Sequence, residues 1–162
     1  MNKRGISELI STVLIILITI SAASLIYSFV SPLIRDAMAE SKLCSDAGLE
    51  IVREDSCYNA DSNEAIIGIS AGANSEISGI SVVLAGEGTV SARLSNGTVS
   101  GVREYGAEDG TSIELPLPDE GRTYIIKTGQ NVPGSVTIYP IVKIGAGEKV
   151  CKNYAQSGLR EC

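Results

Sequence analysis

Between Glu8 and Arg35 the chain carries no charged side chain: Leu9 to Ile34 is a run of 26 residues, mostly Leu, Ile, Val and Ala with scattered hydroxyls. As an α-helix that run spans about 39 Å, more than the roughly 30 Å hydrocarbon core of a bilayer. A helix apolar all round must be buried, in lipid or in a protein bundle. The run is too long for the apolar segment of an ordinary secretory signal, and Ser31-Pro32-Leu33-Ile34-Arg35 offers no small-residue cleavage site after it. Lys3 and Arg4 on its short side place the N-terminus in the cytoplasm and the remainder outside. On periodicity and charge alone, the expectation is a signal anchor holding an external domain.

Two details go further. Glu8 stands at the edge of the apolar run, where an isolated carboxylate is costly unless paired. Gly5, between the basic pair and the run, offers an unhindered peptide bond on the cytoplasmic side. Cleavage between Gly5 and Ile6 would create a new α-amine close to Glu8, and two opposite charges would then neutralise each other at one end of an apolar helix.

The segment Lys3-Arg4-Gly5-Ile6-Ser7-Glu8-Leu9-Ile10-Ser11-Thr12-Val13-Leu14 resembles the class III signal peptide of archaeal type IV pilins and their relatives, the archaellins. The resemblance covers about 30 residues, in which basic pair, small residue and long retained helix occur together. It implies that a membrane-embedded prepilin peptidase cuts after Gly5, leaving Ile6 as the new N-terminus. It also implies a subunit that sits in the cytoplasmic membrane as a precursor and then joins an extracellular filament. Many archaeal pilins carry Ser-Pro where this chain has Ser7-Glu8, and bacterial type IV pilins carry their Glu two positions later. Archaellins tend to have Gly-rich openings to the helix, so the opening here looks more like the pilin branch.

Within the run, Ser11, Thr12, Thr19, Ser21, Ser24 and Ser28 are compatible with close helix–helix approach, their hydroxyls bonding back to backbone carbonyls, or with mere tolerance in a span. Tyr27 and Phe29 suit an interfacial position near the outer end. Pro32 predicts a kink or restart, with helix continuing through Arg35, Met38 and Lys42 as a stalk.

Beyond Cys44 the texture changes to short runs rich in Val, Ile, Ser, Thr and Gly, punctuated every 8–12 residues, which predicts an antiparallel β-sandwich of the Ig-like kind. The fold class expected is thus α+β: a leader over 1–5, an apolar helix and stalk over 6–43, and an all-β head over 44–162. Strands are predicted at Leu49–Glu54, Glu64–Ala71, Ile77–Ala85, Thr89–Leu94, Thr98–Tyr105, Thr111–Leu117, Thr123–Thr128 and Ser135–Ile144. Alternation puts Ile80, Val82, Leu84, Ile113, Leu115, Leu117, Val136, Ile138, Val142 and Ile144 in the core. Pro140 should lie at an edge or a bulge. Asn96-Gly97, flanked by the near-repeat Gly-Thr-Val-Ser, predicts a hairpin turn, and Asn96-Gly97-Thr98 is a glycosylation acceptor.

The four cysteines form two sequence-local pairs. Pairing Cys44 with Cys57 and Cys151 with Cys162 closes the shortest loops, and their spacing lacks the C-x₂₋₄-C pattern of a four-thiolate metal site. External placement favours oxidation. The chain contains no His, which excludes His-based general bases and His-containing metal sites, and its Asp and Glu residues form no recognisable constellation. No catalytic residue, cofactor or metal is expected. Net charge is −6, and removing Lys3 and Arg4 leaves 11 basic against 19 acidic residues, or −8, which speaks against a nucleic-acid partner. The partners expected are the membrane, the prepilin peptidase and assembly machinery, and other copies of the chain, in a filament suited to surface adhesion. The alternative is a membrane-anchored β-sandwich binding or adhesion protein that never polymerises.

Overall fold

The computed structural model describes residues 3–129 and 131–162, with the side chains of residues 3–9 and of Asp36 outside the described set. The chain divides into two compact units, Met1–Ala39 and Glu40–Cys162.

One helix, α1 (Lys3–Asp46), occupies the first unit and continues into the second. Pro32 lies inside it, and α1 is a single element through that position rather than restarting there. Proline donates nothing to the Ser28 carbonyl four residues back, but its fixed φ suits a helix and its missing N–H interrupts only one rung.

The second unit is built on two sheets. The first has the order β12-β1-β2-β8-β6, formed by β12 (Arg160–Glu161), β1 (Leu49–Asn59), β2 (Glu64–Ala71), β8 (Gly121–Lys127) and β6 (Val102–Glu104). The second has the order β10-β9-β3-β4, formed by β10 (Gly147–Val150), β9 (Pro133–Ile144), β3 (Gly79–Gly86) and β4 (Thr89–Leu94), with β11 (Ala155–Gly158) also on β9. A two-strand ribbon pairs β5 (Gly97–Thr98) with β7 (Ser112–Ile113). Pairing is antiparallel except for β12 on β1, which is parallel.

The expected alternation holds where it is strictest. Ile67, Ile69, Tyr124 and Ile126 from the first sheet meet Ile80, Val82, Leu84, Val136 and Ile138 from the second in one core. A smaller cluster, Ala47, Val142 and Cys151 with Leu43, Cys44 and Ile144 beside it, packs the last turn of α1 onto the second sheet.

Four expectations are corrected. Thr98–Tyr105 is two short strands separated by a turn, because Gly101 takes a positive φ. Thr111–Leu117 contracts to Ser112–Ile113: Pro116 and Pro118 cannot donate to a ladder, and Leu117 turns outward, 64% exposed. Asn96-Gly97 is not a hairpin tip. The hairpin joining β3 to β4 turns at Gly86–Gly88, and Gly97 opens β5, which pairs with β7 instead. Pro140 lies on neither an edge nor a bulge. It pairs with Ile80 on one side, and on the other it falls where the partner of β9 changes from β10 to β11, so no neighbouring ladder needs its missing N–H. Its carbonyl accepts the Cys151 N–H at 2.8 Å.

A bulge shapes β1, whose register against β2 shifts between Val52 and Cys57. Ser56 restores the interrupted ladder: its hydroxyl accepts the Gly68 N–H at 3.1 Å and donates to the Val52 carbonyl at 2.7 Å. The partner must be glycine, because a Cβ on Gly68 would stand 2.9 Å from the Asp55 Cβ.

Candidate functional site

The feature that stands out is α1 itself. From Ile10 to Ile34 its large apolar side chains are exposed, Ile18 at 65% and Phe29 at 70%, and no residue of the most apolar stretch is buried. In length and composition the helix can cross a membrane. Four of its hydroxyls are satisfied within the helix: Thr19 donates to the Ile16 carbonyl at 2.9 Å, Ser21 to Leu17 at 2.7 Å, Ser24 to Ile20 at 2.9 Å and Ser28 to Leu25 at 2.8 Å. Polar atoms satisfied this way do not oppose entry into lipid or a dry bundle. Exposing this much hydrocarbon to water is untenable for an isolated soluble protein, so the helix requires an apolar environment.

The residues expected to direct processing, Lys3, Arg4, Gly5 and Ile6, fall in the first turns of α1, and Glu8 follows one turn later. Their side chains, and so the pairing proposed for Glu8, lie outside the described residues.

The disulfides are Cys44–Cys151 and Cys57–Cys162, not the sequence-local pairs. The physical reason is strand length. Cys44 ends α1 just before β1, whereas Cys57 lies eight residues into that strand, about 26 Å along it. The other local pair is likewise separated: Cys151 bonds β9 at Pro140, while Leu159, three residues before Cys162, bonds it at Gly134, about 20 Å away. Each cysteine instead meets the one at its own end of the head, with Cα atoms 5.5 and 5.2 Å apart. Cys44–Cys151 fastens the end of α1 to the segment that follows β10, assisted by the Asn153 amide donating to the Cys44 carbonyl and by an ion pair between Lys149 and Glu40. Cys57–Cys162 fastens the C-terminal strand β12 along the edge of β1. Two such bridges fit an oxidising, extracellular setting.

Charged networks brace the far side of the core. Arg122 lies 3.2 Å from Glu104, 3.0 Å from Glu114 and 3.1 Å from Glu120. Glu104 also accepts the Glu114 N–H, and Glu120 accepts the Leu117 N–H at 2.8 Å, so the proline-containing loop is held by carboxylates. The Leu117 amide and then Arg122 hold the Glu120 carboxyl below its ordinary value. Beneath this network Tyr124 donates to the Glu114 carbonyl at 2.6 Å, and burial pushes its phenol well above the usual range. Nearby, Arg103 grips Glu64 with two bonds at 2.9 and 3.0 Å. Asp109 bonds both Arg103 and Lys127, and the Lys127 contact is the main cause of its lowered pKa. These groups are saturated by one another and read as bracing. Among the described residues no group of His, Cys, Asp and Glu is arranged to hold a metal.

Asn96 is exposed between β4 and β5, with its side-chain oxygen accepting the Leu115 N–H at 2.7 Å. Its neighbour in that contact was legible only as a core residue, since nothing in the sequence links positions 19 apart. No protein-family model matches the chain, and no curated protein matches it either.

Proposed function

We propose that the chain is a structural subunit of a surface filament of the archaeal type IV pilin kind. In this reading the leader is cut between Gly5 and Ile6, Glu8 pairs with the new α-amine, and α1 passes from the membrane into a core made of many copies of itself. The observation that carries the reading is an apolar helix left exposed from Ile10 to Ile34 and joined to a doubly disulfide-bonded β head. A single copy cannot cover that helix, and a bundle of copies provides the same apolar surroundings as lipid. The covalent tie between α1 and the head supports a subunit that bears load through its helix. Surface adhesion and glycosylation at Asn96 belong to the same reading.

The test is a Gly5→Asp substitution in the producing cell. A blocked leader keeps the chain at full length in the membrane fraction, whereas the unaltered chain begins at Ile6. Normal maturation of the variant sinks the leader assignment. A native chain that begins at Met1 favours the membrane-tethered binding protein that never polymerises.

A further inference from the structure

One flank of the head carries a groove of about 420 Å³, and Asn96 is one of the residues that line it. Pro116, Leu117, Pro118 and Ile77 are among the residues that line it, and Leu117 and Pro118 are exposed. Glu76 and Lys143 line it too, are exposed, and form no ion pair among the described residues. The groove therefore offers apolar surface flanked by one free carboxylate and one free ammonium.

We propose that this groove seats the first sugars of an N-linked glycan attached to Asn96. Three observations converge on it. Asn96-Gly97-Thr98 has the acceptor pattern. The Leu115 N–H requires an oxygen, so it fixes the amide with Oδ1 inward, and Nδ2 makes no hydrogen bond among the described residues. The atom to be modified is thus left unbonded on a residue that lines the groove, and the chemistry of that groove suits a sugar. Carbohydrate presents C–H faces that pack on leucine and proline, and hydroxyls that bond a carboxylate or an ammonium.

The transfer balances simply. Nδ2 of Asn96 attacks the anomeric carbon of a lipid-linked phosphosugar; the C–N bond forms, the C–O bond to phosphate breaks, the amide gives up one proton, and the lipid phosphate leaves. The proposal rests on the external placement of the head in the reading above, though not on polymerisation.

The experiment uses the full chain purified from its producing cells. Peptide mapping by mass is compared with hydroxyl-radical footprinting, for the native chain and for Thr98→Ala. That variant removes the acceptor pattern but leaves the Asn96–Leu115 bond, which Asn96→Gln would disturb. We expect a glycan mass on the Asn96 peptide, its loss in Thr98→Ala, and a severalfold rise in Leu117 oxidation once the sugar is gone. An unmodified Asn96 peptide overturns the proposal, and if that same chain begins at Ile6 the filament reading stands without it. A modified peptide with equal Leu117 oxidation in both chains overturns the seating in the groove.

Discussion

Replacing both Cys57 and Cys162 with serine tests the crossed disulfide pattern and gives a magnitude that the local pattern does not. The two bridges close loops of 107 and 105 residues, each worth about 4.8 kcal/mol alone in the chain-entropy account. They are not independent. With Cys44–Cys151 formed, the shortest path between Cys57 and Cys162 runs back to Cys44, across the bridge and on from Cys151, a loop of about 24 residues. The second bridge then contributes about 3.5 kcal/mol. For a urea slope of about 2 kcal/mol per M, the double variant should lose about 1.7 M in its unfolding midpoint while the Cys44–Cys151 peptide persists in a non-reducing digest. Detergent-solubilised protein, followed by tyrosine fluorescence, reports the midpoint. Had the local pairs formed, this double variant would leave Cys44 and Cys151 as free thiols and no disulfide at all. Two titratable thiols, or a midpoint shift within about 0.3 M, would refute the reasoning.

Other substitutions probe the packing. Gly86→Ala should destabilise the head by about 1–3 kcal/mol, because its Cβ would lie 2.0 Å from the Val132 carbonyl oxygen, a backbone atom that cannot step aside; a thermal scan reads it. Ile67→Ala, at a fully buried position of the shared core, should cost about 2–5 kcal/mol by urea unfolding. The pH dependence follows from carboxyls whose folded pKa values are lowered. Glu120 and Asp109 have ordinary values of 4.5 and 3.8 and lie below them in the folded head. The stability they lend is full above those ordinary values and is lost as pH falls through the lower folded ones. The urea midpoint should therefore fall between pH 5 and pH 3, and Glu120→Gln should make that fall shallower.

The parts legible in the sequence were those governed by local rules. A charge-free run long enough to cross a bilayer announced α1, and β2 and β4 emerged with the predicted ends because Ala65, Ile67, Ile69 and Ala71 in the one, and Val90, Ala92 and Leu94 in the other, recur at every second position. β10, β11 and β12 were not anticipated. Gly147–Val150 has no buried side chain, and Ala155–Gly158 is small and polar, so these segments carry no hydrophobic pattern and pair because β9 and β1 present free edges. Asn96-Gly97 gave the strongest turn signal and lost to tertiary context: Leu115 captures the Asn96 oxygen, and Gly97 pairs with Ile113. Cysteine pairing depends on which end of a sandwich each strand reaches, information that spacing does not contain. For α1 the apolar character was legible in the sequence, and the structure added that Thr19, Ser21, Ser24 and Ser28 bond back to its own carbonyls.

The central claim is that α1 is covered by copies of itself. Filaments sheared from the surface of producing cells should be visible by electron microscopy, should contain this chain with Ile6 as its first residue, and should vanish when the chain is deleted. Finding the chain only as a membrane-bound monomer that begins at Met1, with filaments absent or unaffected by its deletion, would contradict the account.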